Sequence, residues 1–303
     1  MLDGRVAIVT GAGRGIGRAH AQRLAAYGAR VIVNDTGVAP DGAATDETPA
    51  EETVAAIRAA GGEAVAHCGD VSSLAVGEAL VELALASWGR LDVVVNNAGI
   101  GRPRMLFNMS EAEWDDVVRV HLKGTFAISR AACRHWRGLA KRDGSAYGRL
   151  LNTSTGLLVA GGAGQSNYVA AKGGVSAFSE AAASEMAPYG VTVNAIMPAA
   201  RTRLSAAGWR MERASGAYDD TDPRPIAELV CYLASPAAAS ISGQTFRVRG
   251  GSIALVDGWR FGAELQRNDR GYTAAELADE IPRLVERGPK PAARPPAGWR
   301  AGE

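Results

Sequence analysis

The sequence predicts an α/β protein in which a doubly wound parallel sheet forms a single domain, followed by a C-terminal extension. Three observations predict it. Short β-branched apolar runs alternate with helix-length segments rich in Ala, Leu, Arg and Glu, as repeated βαβ units require. The runs are apolar almost without interruption, which fits strands covered on both faces. The first run opens into a glycine-rich turn, Thr10-Gly11-Ala12-Gly13-Arg14-Gly15-Ile16-Gly17, and then a helix.

In chain order, strands are expected at 6–9, 31–33, 64–66, 91–95, 150–151, 191–196 and 245–248. Helices are expected between them at 16–27, 49–60, 74–88, 111–139, 166–188 and 226–234. The Gly/Asp/Thr-rich stretch 36–49 is longer than an ordinary βα connection. No break in composition marks a second domain before about residue 260. Residues 1–260 are therefore assigned to the domain and 261–303 to the extension. Within the tail, Trp259, Phe261 and Leu265 precede a short amphipathic helix over 272–286. Its apolar side carries Leu277, Ile281, Leu284 and Val285, and a Pro-rich end follows at 288–303. Such a segment has no core of its own. It is expected to pack on the domain or across an axis onto a neighbouring subunit, with its end near the partner's substrate cleft.

Composition narrows the function. With 303 residues, 47% hydrophobic and 21% charged, the chain can bury a sizeable core. A net charge of +1 gives no electrostatic footprint for nucleic acid or anionic membrane. No 18-residue apolar run is present, so no membrane span is expected. Cys68, Cys133 and Cys231 are odd in number and far apart, which points to a reducing compartment. The opening residues already read as a turn and a strand rather than a signal peptide, and a cytoplasmic location is expected. His20, His67, His121 and His135 share no metal-ligand spacing, so no metal is expected.

The glycine turn is built to hold phosphate. Glycines permit a tight turn and let backbone N–H groups approach a pyrophosphate at the positive helix end. Asp35 closes the second strand 18 residues after Gly17. A carboxylate there accepts hydrogen bonds from an adenosine ribose and repels a 2′-phosphate, favouring NAD over NADP. Arg14, inside the loop, pulls the other way.

Tyr168 and Lys172 stand four apart at the start of a helical segment and share one face. A fixed ammonium beside a phenol stabilises the phenolate and draws its proton transfer toward neutral pH. With 7 Tyr and 4 Lys in 303 residues, such a pair is seldom coincidence. Upstream, Asn152-Thr153-Ser154-Thr155-Gly156 ends the fifth strand, at the sheet edge where ligands bind. A hydroxyl there can hydrogen-bond a substrate oxygen beside Tyr168.

Thr10-Gly11-x-x-x-Gly15-x-Gly17, Asn96-Asn97-Ala98-Gly99 and Tyr168-x-x-x-Lys172, in that order, resemble the short-chain dehydrogenase/reductase family. The resemblance covers about residues 3–255 and implies a Rossmann-like fold and NAD(P)-dependent interconversion of an alcohol and a ketone. It implies a cofactor site of Gly11, Gly13, Arg14, Gly15, Ile16, Gly17, Asp35, Asp70, Val71, Asn97, Ala98, Gly99, Tyr168, Lys172, Pro198 and Thr202. Asp70 and Val71 match the pair at the adenine ring, Asn97 the residue that steadies the central strand, and Thr202 the contact to the nicotinamide carboxamide. Three departures stand out. The family's catalytic serine position holds Thr155, with Ser154 beside it, and either hydroxyl can serve. His121 replaces the asparagine that holds a relay water. Ala199 follows Pro198 where glycine is usual. His121, the loop after Asp35 and the Gly250-Gly251 region also resemble one branch, the (3R)-hydroxyacyl-CoA dehydrogenase domain of the multifunctional β-oxidation enzyme.

The leading expectation is an NAD-dependent oxidoreductase acting on a secondary alcohol or ketone, with a 3-hydroxyacyl-CoA or steroid-like substrate. Its catalytic set is Tyr168, Lys172, Thr155, Ser154 and His121, and a homotetramer is the expected assembly. The alternatives are an NADP-linked 3-ketoacyl reductase and a non-catalytic nucleotide-binding protein that kept the fold.

Overall fold

The computed structural model describes residues 1–39, 48–202, 219–258, 262–267 and 270–287. Its strands are β1 (Val6–Thr10), β2 (Arg30–Asn34), β3 (Ala64–His67), β4 (Val93–Asn96), β5 (Gly148–Thr153), β6 (Val191–Pro198), β7 (Thr245–Arg249) and β8 (Ser252–Leu255). Its helices are α1 (Gly15–Ala26), α2 (Pro49–Ala59), α3 (Leu74–Trp88), α4 (Glu111–Val118), α5 (Gly124–Asp143), α6 (Leu157–Ala160), α7 (Ser166–Met186), α8 (Arg224–Ala234) and α9 (Ala274–Arg287). The strands form one sheet in the order β3-β2-β1-β4-β5-β6-β7-β8, parallel except for the antiparallel β7–β8 pair. Strand order reverses beside β1, which makes the sheet doubly wound as the sequence predicts.

The sheet separates two apolar cores. Alternation along β1 sends Ala7 and Val9 into the core under α1, α2 and α8, and Val6 and Ile8 into the core under α3, α5 and α7. A buried polar ladder crosses the second core: the Asn96 amide donates to Asn152 Oδ1 and Ser129 Oγ, both at 2.9 Å, and the Asn152 amide donates to Ser179 Oγ at 2.9 Å. These bonds tie β4 and β5 to α5 and α7, the helices that carry the site.

Two features depart from the sequence reading. The helix expected over 111–139 is interrupted by a π-helical turn at Arg119–Lys123. The added residue re-aims the side chains around His121, whose ring is buried. Periodicity over a long helix hides a single-residue insertion of this kind. The second departure is strand β8, which the sequence does not announce. Gly250, at φ +49°, turns the chain back onto β7. Ile253 and Leu255 on β8 are exposed, so no buried pattern marks this strand in the sequence. The tail helix forms as α9, with Leu277 and Leu284 half-buried and Ile281 and Val285 exposed. Trp259, Phe261, most of the loop after Asp35 and the end 288–303 lie outside the described residues.

Candidate active site

At the carboxyl edge of the sheet the chain encloses a cleft of about 1310 Å³. Its floor at one end is the glycine turn. Gly11 takes φ +60°, and a Cβ there would fall 2.7 Å from Ala98 Cα. A Cβ on Gly17 would fall 2.1 Å from the Gly11 carbonyl oxygen. Side chains are therefore excluded at both positions. Asn97 locks the turn to β4: its amide donates to the Thr10 and Gly11 carbonyls at 3.1 Å, and its N–H donates to Thr10 Oγ1 at 3.0 Å. No side chain caps the start of α1, so its first N–H groups remain for an anion at the positive helix end. This turn, closed to side chains and uncapped, fits a dinucleotide pyrophosphate.

Asp35 lines the cleft beside the turn. Its carboxylate accepts from the Gly13 N–H at 2.9 Å and the Gly37 N–H at 2.8 Å. Two backbone donors set its direction. Asp70 lies farther along, paired with Arg119.

The sequence-derived cofactor residues converge here with one exception. Gly11, Arg14, Gly15, Ile16, Gly17, Asp35, Asp70, Val71, Asn97, Ala98, Gly99, Tyr168, Lys172, Pro198 and Thr202 all line the cleft. Gly13 does not line it. It packs against Pro49 and Asp35, its N–H donates to Asp35, and its carbonyl accepts from Arg18 and Thr53. His67 also lies off the cleft, with its ring against the Asn34 amide.

Midway along the cleft stand Tyr168 and Lys172 on α7 and Ser154 and Thr155 after β5. Burial pushes the Tyr168 phenol up, and hydrogen bonding with the Thr155 side chain opposes that push. Ser154 is engaged elsewhere: its hydroxyl lies 2.7 Å from Ser176 Oγ and 3.1 Å from the Lys172 carbonyl oxygen. Ser154 is thus tied to α7, while Thr155 Oγ1 accepts from the Leu157 N–H at 3.3 Å and lines the same cleft as Tyr168. Lys172 is 3% exposed and donates to the Thr153 carbonyl at 2.6 Å. Desolvation lowers its pKa to about 7. Its ammonium sits 5.9 Å from the centroid of the Tyr168 ring.

His121 closes the same region from the π turn. Its ring meets the Tyr168 ring edge to face at 5.1 Å. Nε2 lies 2.8 Å from the Ile100 carbonyl oxygen, while Nδ1 is buried without a partner. Burial, reinforced by the charge of Lys172, lowers its pKa to about 3, so the ring is neutral. The Ile100 N–H also reaches Nε2, at 3.2 Å, so Nδ1 accepts or donates according to which ring nitrogen carries the proton. Gly99 is required beneath it, because a Cβ there would come 2.3 Å from the imidazole.

One positioning residue escapes the sequence reading. Asn167, 1% exposed, donates to the Arg102 and Glu113 carbonyls at 3.0 Å each and accepts from the Tyr168 N–H at 2.8 Å. It pins the cleft loop and α4 to the first turn of α7. Its only sequence signal is an amide immediately before the tyrosine. The loop arginines are paired, Arg102 with Asp116 and Arg104 with Glu113.

Residues 5–207 match the model of the short chain dehydrogenase family. The chain belongs to that family. The dehydrogenase is 47% identical over 259 residues to the hydroxyacyl-CoA dehydrogenase ChsB1 of Mycobacterium tuberculosis, covering 84% of this chain and 80% of that one. It is 37% identical over 286 residues to the peroxisomal multifunctional enzyme type 2 of Mus musculus, covering 94% of this chain and 37% of that protein. Among solved structures, it superimposes on a short chain dehydrogenase from Mycobacterium avium with TM-score 0.84 and 44% identity, over 96% of this chain and 97% of the other. The branch resemblance seen in the sequence is thus matched by relatives of both kinds. The dehydrogenase is an oxidoreductase of a family that uses NAD(P). Among its described residues, no helix is long and apolar enough to cross a membrane, and no cluster of His, Cys, Asp and Glu forms a metal site.

Proposed function

We propose that the dehydrogenase uses NAD to interconvert a secondary alcohol and a ketone, with a 3-hydroxyacyl-CoA as substrate. The observation that carries this reading is the gathering of Tyr168, Thr155 and buried Lys172 in one cleft that Asp35 also lines. The nicotinamide supplies hydride acceptance in oxidation and hydride donation in reduction. Thr155 orients the substrate oxygen. Tyr168 takes the hydroxyl proton in oxidation and returns it in reduction. Lys172 holds the ribose of the cofactor and lowers the cost of the phenolate. His121 Nδ1 hydrogen-bonds a relay water that returns the proton to solvent. The name of the Mycobacterium tuberculosis relative, a hydroxyacyl-CoA dehydrogenase, supports the thioester substrate; a steroid-like alcohol is the other substrate this reading admits.

NAD is favoured because Asp35, held by two N–H donors, stands where a 2′-phosphate would meet a negative charge. Arg14 lines the same end of the cleft and supports the second reading, an NADP-linked 3-ketoacyl reductase. Formation of NADH or NADPH, followed by its absorbance with a (3R)-hydroxyacyl-CoA, separates them. NADH with little NADPH supports the first reading. NADPH with little NADH supports the second. No reduced cofactor from any secondary alcohol supports a non-catalytic nucleotide-binding protein.

This reading includes a homotetramer, supported by the long helices α5 and α7 and by exposed Phe126 on α5. The apolar stripe of α9 is taken to pack on a neighbouring subunit, because the stripe finds little cover on its own domain. Three free cysteines support a reducing, cytoplasmic location.

A further inference from the structure

The cleft does not end at the catalytic tyrosine. Beyond β5 and β6 it continues to β7, where Arg247 and Arg249 line it. Phe246 and Val248 on the same strand pack into the core under α1 and α8. Alternation therefore sends both arginines out of the opposite face, beside Met197 at the end of β6. On this strand Arg247 is exposed and Arg249 half-buried.

The charge balance along the cleft is uneven. Arg102 pairs with Asp116, Arg119 with Asp70, and Arg249 with Asp220 at 2.9 Å. Arg247 makes no ion pair or hydrogen bond among the described residues, although it faces the same cavity. Among the described residues, this exposed cation is left for an anion to balance.

Strand spacing sets the scale. Adjacent strands lie about 4.8 Å apart, so β7 stands about 10 Å from β5 and about 24 Å from β2. The dinucleotide runs between the β2 end and the reacting centre near β5. An anion at Arg247 therefore belongs to the substrate and not to the cofactor.

We propose that Arg247 anchors an anionic group of the substrate, a carboxylate or a phosphate, at the β7 end of the cleft. The inference deepens the function proposed above by assigning an anionic substrate class to its site. The anion comes either from the phosphates of a coenzyme A carrier or from a carboxylate on the acyl chain. A guanidinium recognises both through paired N–H donors.

The test is a calorimetric titration of coenzyme A and, separately, of suberate into the NAD-loaded protein. Loading with NAD keeps the adenine of coenzyme A out of the cofactor site. Wild type should bind one probe at least about tenfold more tightly than Arg247→Gln, as expected for a charge-assisted contact. Arg247→Lys should recover part of the loss, and added salt should weaken binding to wild type more than to Arg247→Gln. The probe that shows the difference identifies the source of the anion. Equal binding of both probes by wild type and Arg247→Gln, or binding of neither by wild type, overturns the proposal. Because the readout is binding, absence of NADH formation alongside an Arg247-dependent affinity sinks the proposed activity and leaves the anion anchor standing.

Discussion

The hydroxyls of Ser154 and Ser176 meet at 2.7 Å, and this pairing separates two adjacent candidates that spacing alone leaves open. Ser154 spends its hydroxyl on α7, while Thr155 lines the same cleft as Tyr168. Thr155→Ala is expected to lower kcat about 10²-fold, the loss typical of a donor at a developing charge. Ser154→Ala is expected to cost about 1 kcal/mol of stability with a far smaller loss of kcat. Steady-state kinetics and thermal melts of the two variants, made in parallel, check this. A larger kcat loss in Ser154→Ala would reverse the assignment.

Tyr168→Phe removes the transferable proton and keeps the ring that packs on His121. It should lower kcat about 10²–10⁴-fold while leaving NAD affinity, read by tryptophan quenching, within about twofold. Turnover near wild type would remove Tyr168 from the chemistry.

Asp35→Ala deletes an acceptor for the ribose and the repulsion of a 2′-phosphate together. The NAD/NADP ratio of kcat/KM should fall by at least about tenfold, roughly one charge-assisted hydrogen bond. A wild-type enzyme that already prefers NADP would show that Arg14 outweighs Asp35.

Much of the fold and site is legible in the sequence, for physical reasons. Strands β1, β2, β4 and β6 are buried on both faces, so their apolar runs stand out. The turn glycines are dictated by backbone contacts within a few residues or across to β4, and the Tyr168–Lys172 pair lies within about one turn of helix. The contact of Gly13 with Asp35 is not legible, because it depends on how α2 closes over the turn. Strand β8 carries no burial pattern, and the π turn at His121 is one extra residue in a long helix. Asn167 acts on backbone carbonyls of distant segments, which no spacing rule encodes. Arg247 has a signal, two arginines alternating on an apolar strand, but its meaning depends on which face of β7 meets the cleft.

Asn167→Ala leaves the Arg102 and Glu113 carbonyls without their donor and is expected to destabilise the fold by about 1–3 kcal/mol. Because the same amide orients the turn that carries Tyr168, kcat should fall more than the NAD affinity. Denaturant melts and kinetics on the variant check both parts. A stability loss with unchanged kcat would reduce Asn167 to a purely structural clip.

Acid should weaken this fold through two buried rings. His20 is fully buried with neither ring nitrogen partnered, and desolvation lowers its pKa to about 3. His121 is lowered to about the same value. In the unfolded chain both rings titrate near 6.5. Between pH 6.5 and about 3 the unfolded state therefore binds protons that the native state refuses, and stability falls as pH falls. Each ring contributes about 1.4 kcal/mol per pH unit in that window, so going from about pH 6.5 to about 4.5 costs about 3 kcal/mol per histidine. Both contributions vanish above the unfolded value. His20→Leu fills the same apolar site without a titrating group and should flatten this dependence by about half. Denaturant midpoints measured from about pH 7.5 to about 4.5 on wild type and His20→Leu test it. Parallel curves for the two proteins would show that His20 is protonated in the native state, against the burial that motivates the prediction.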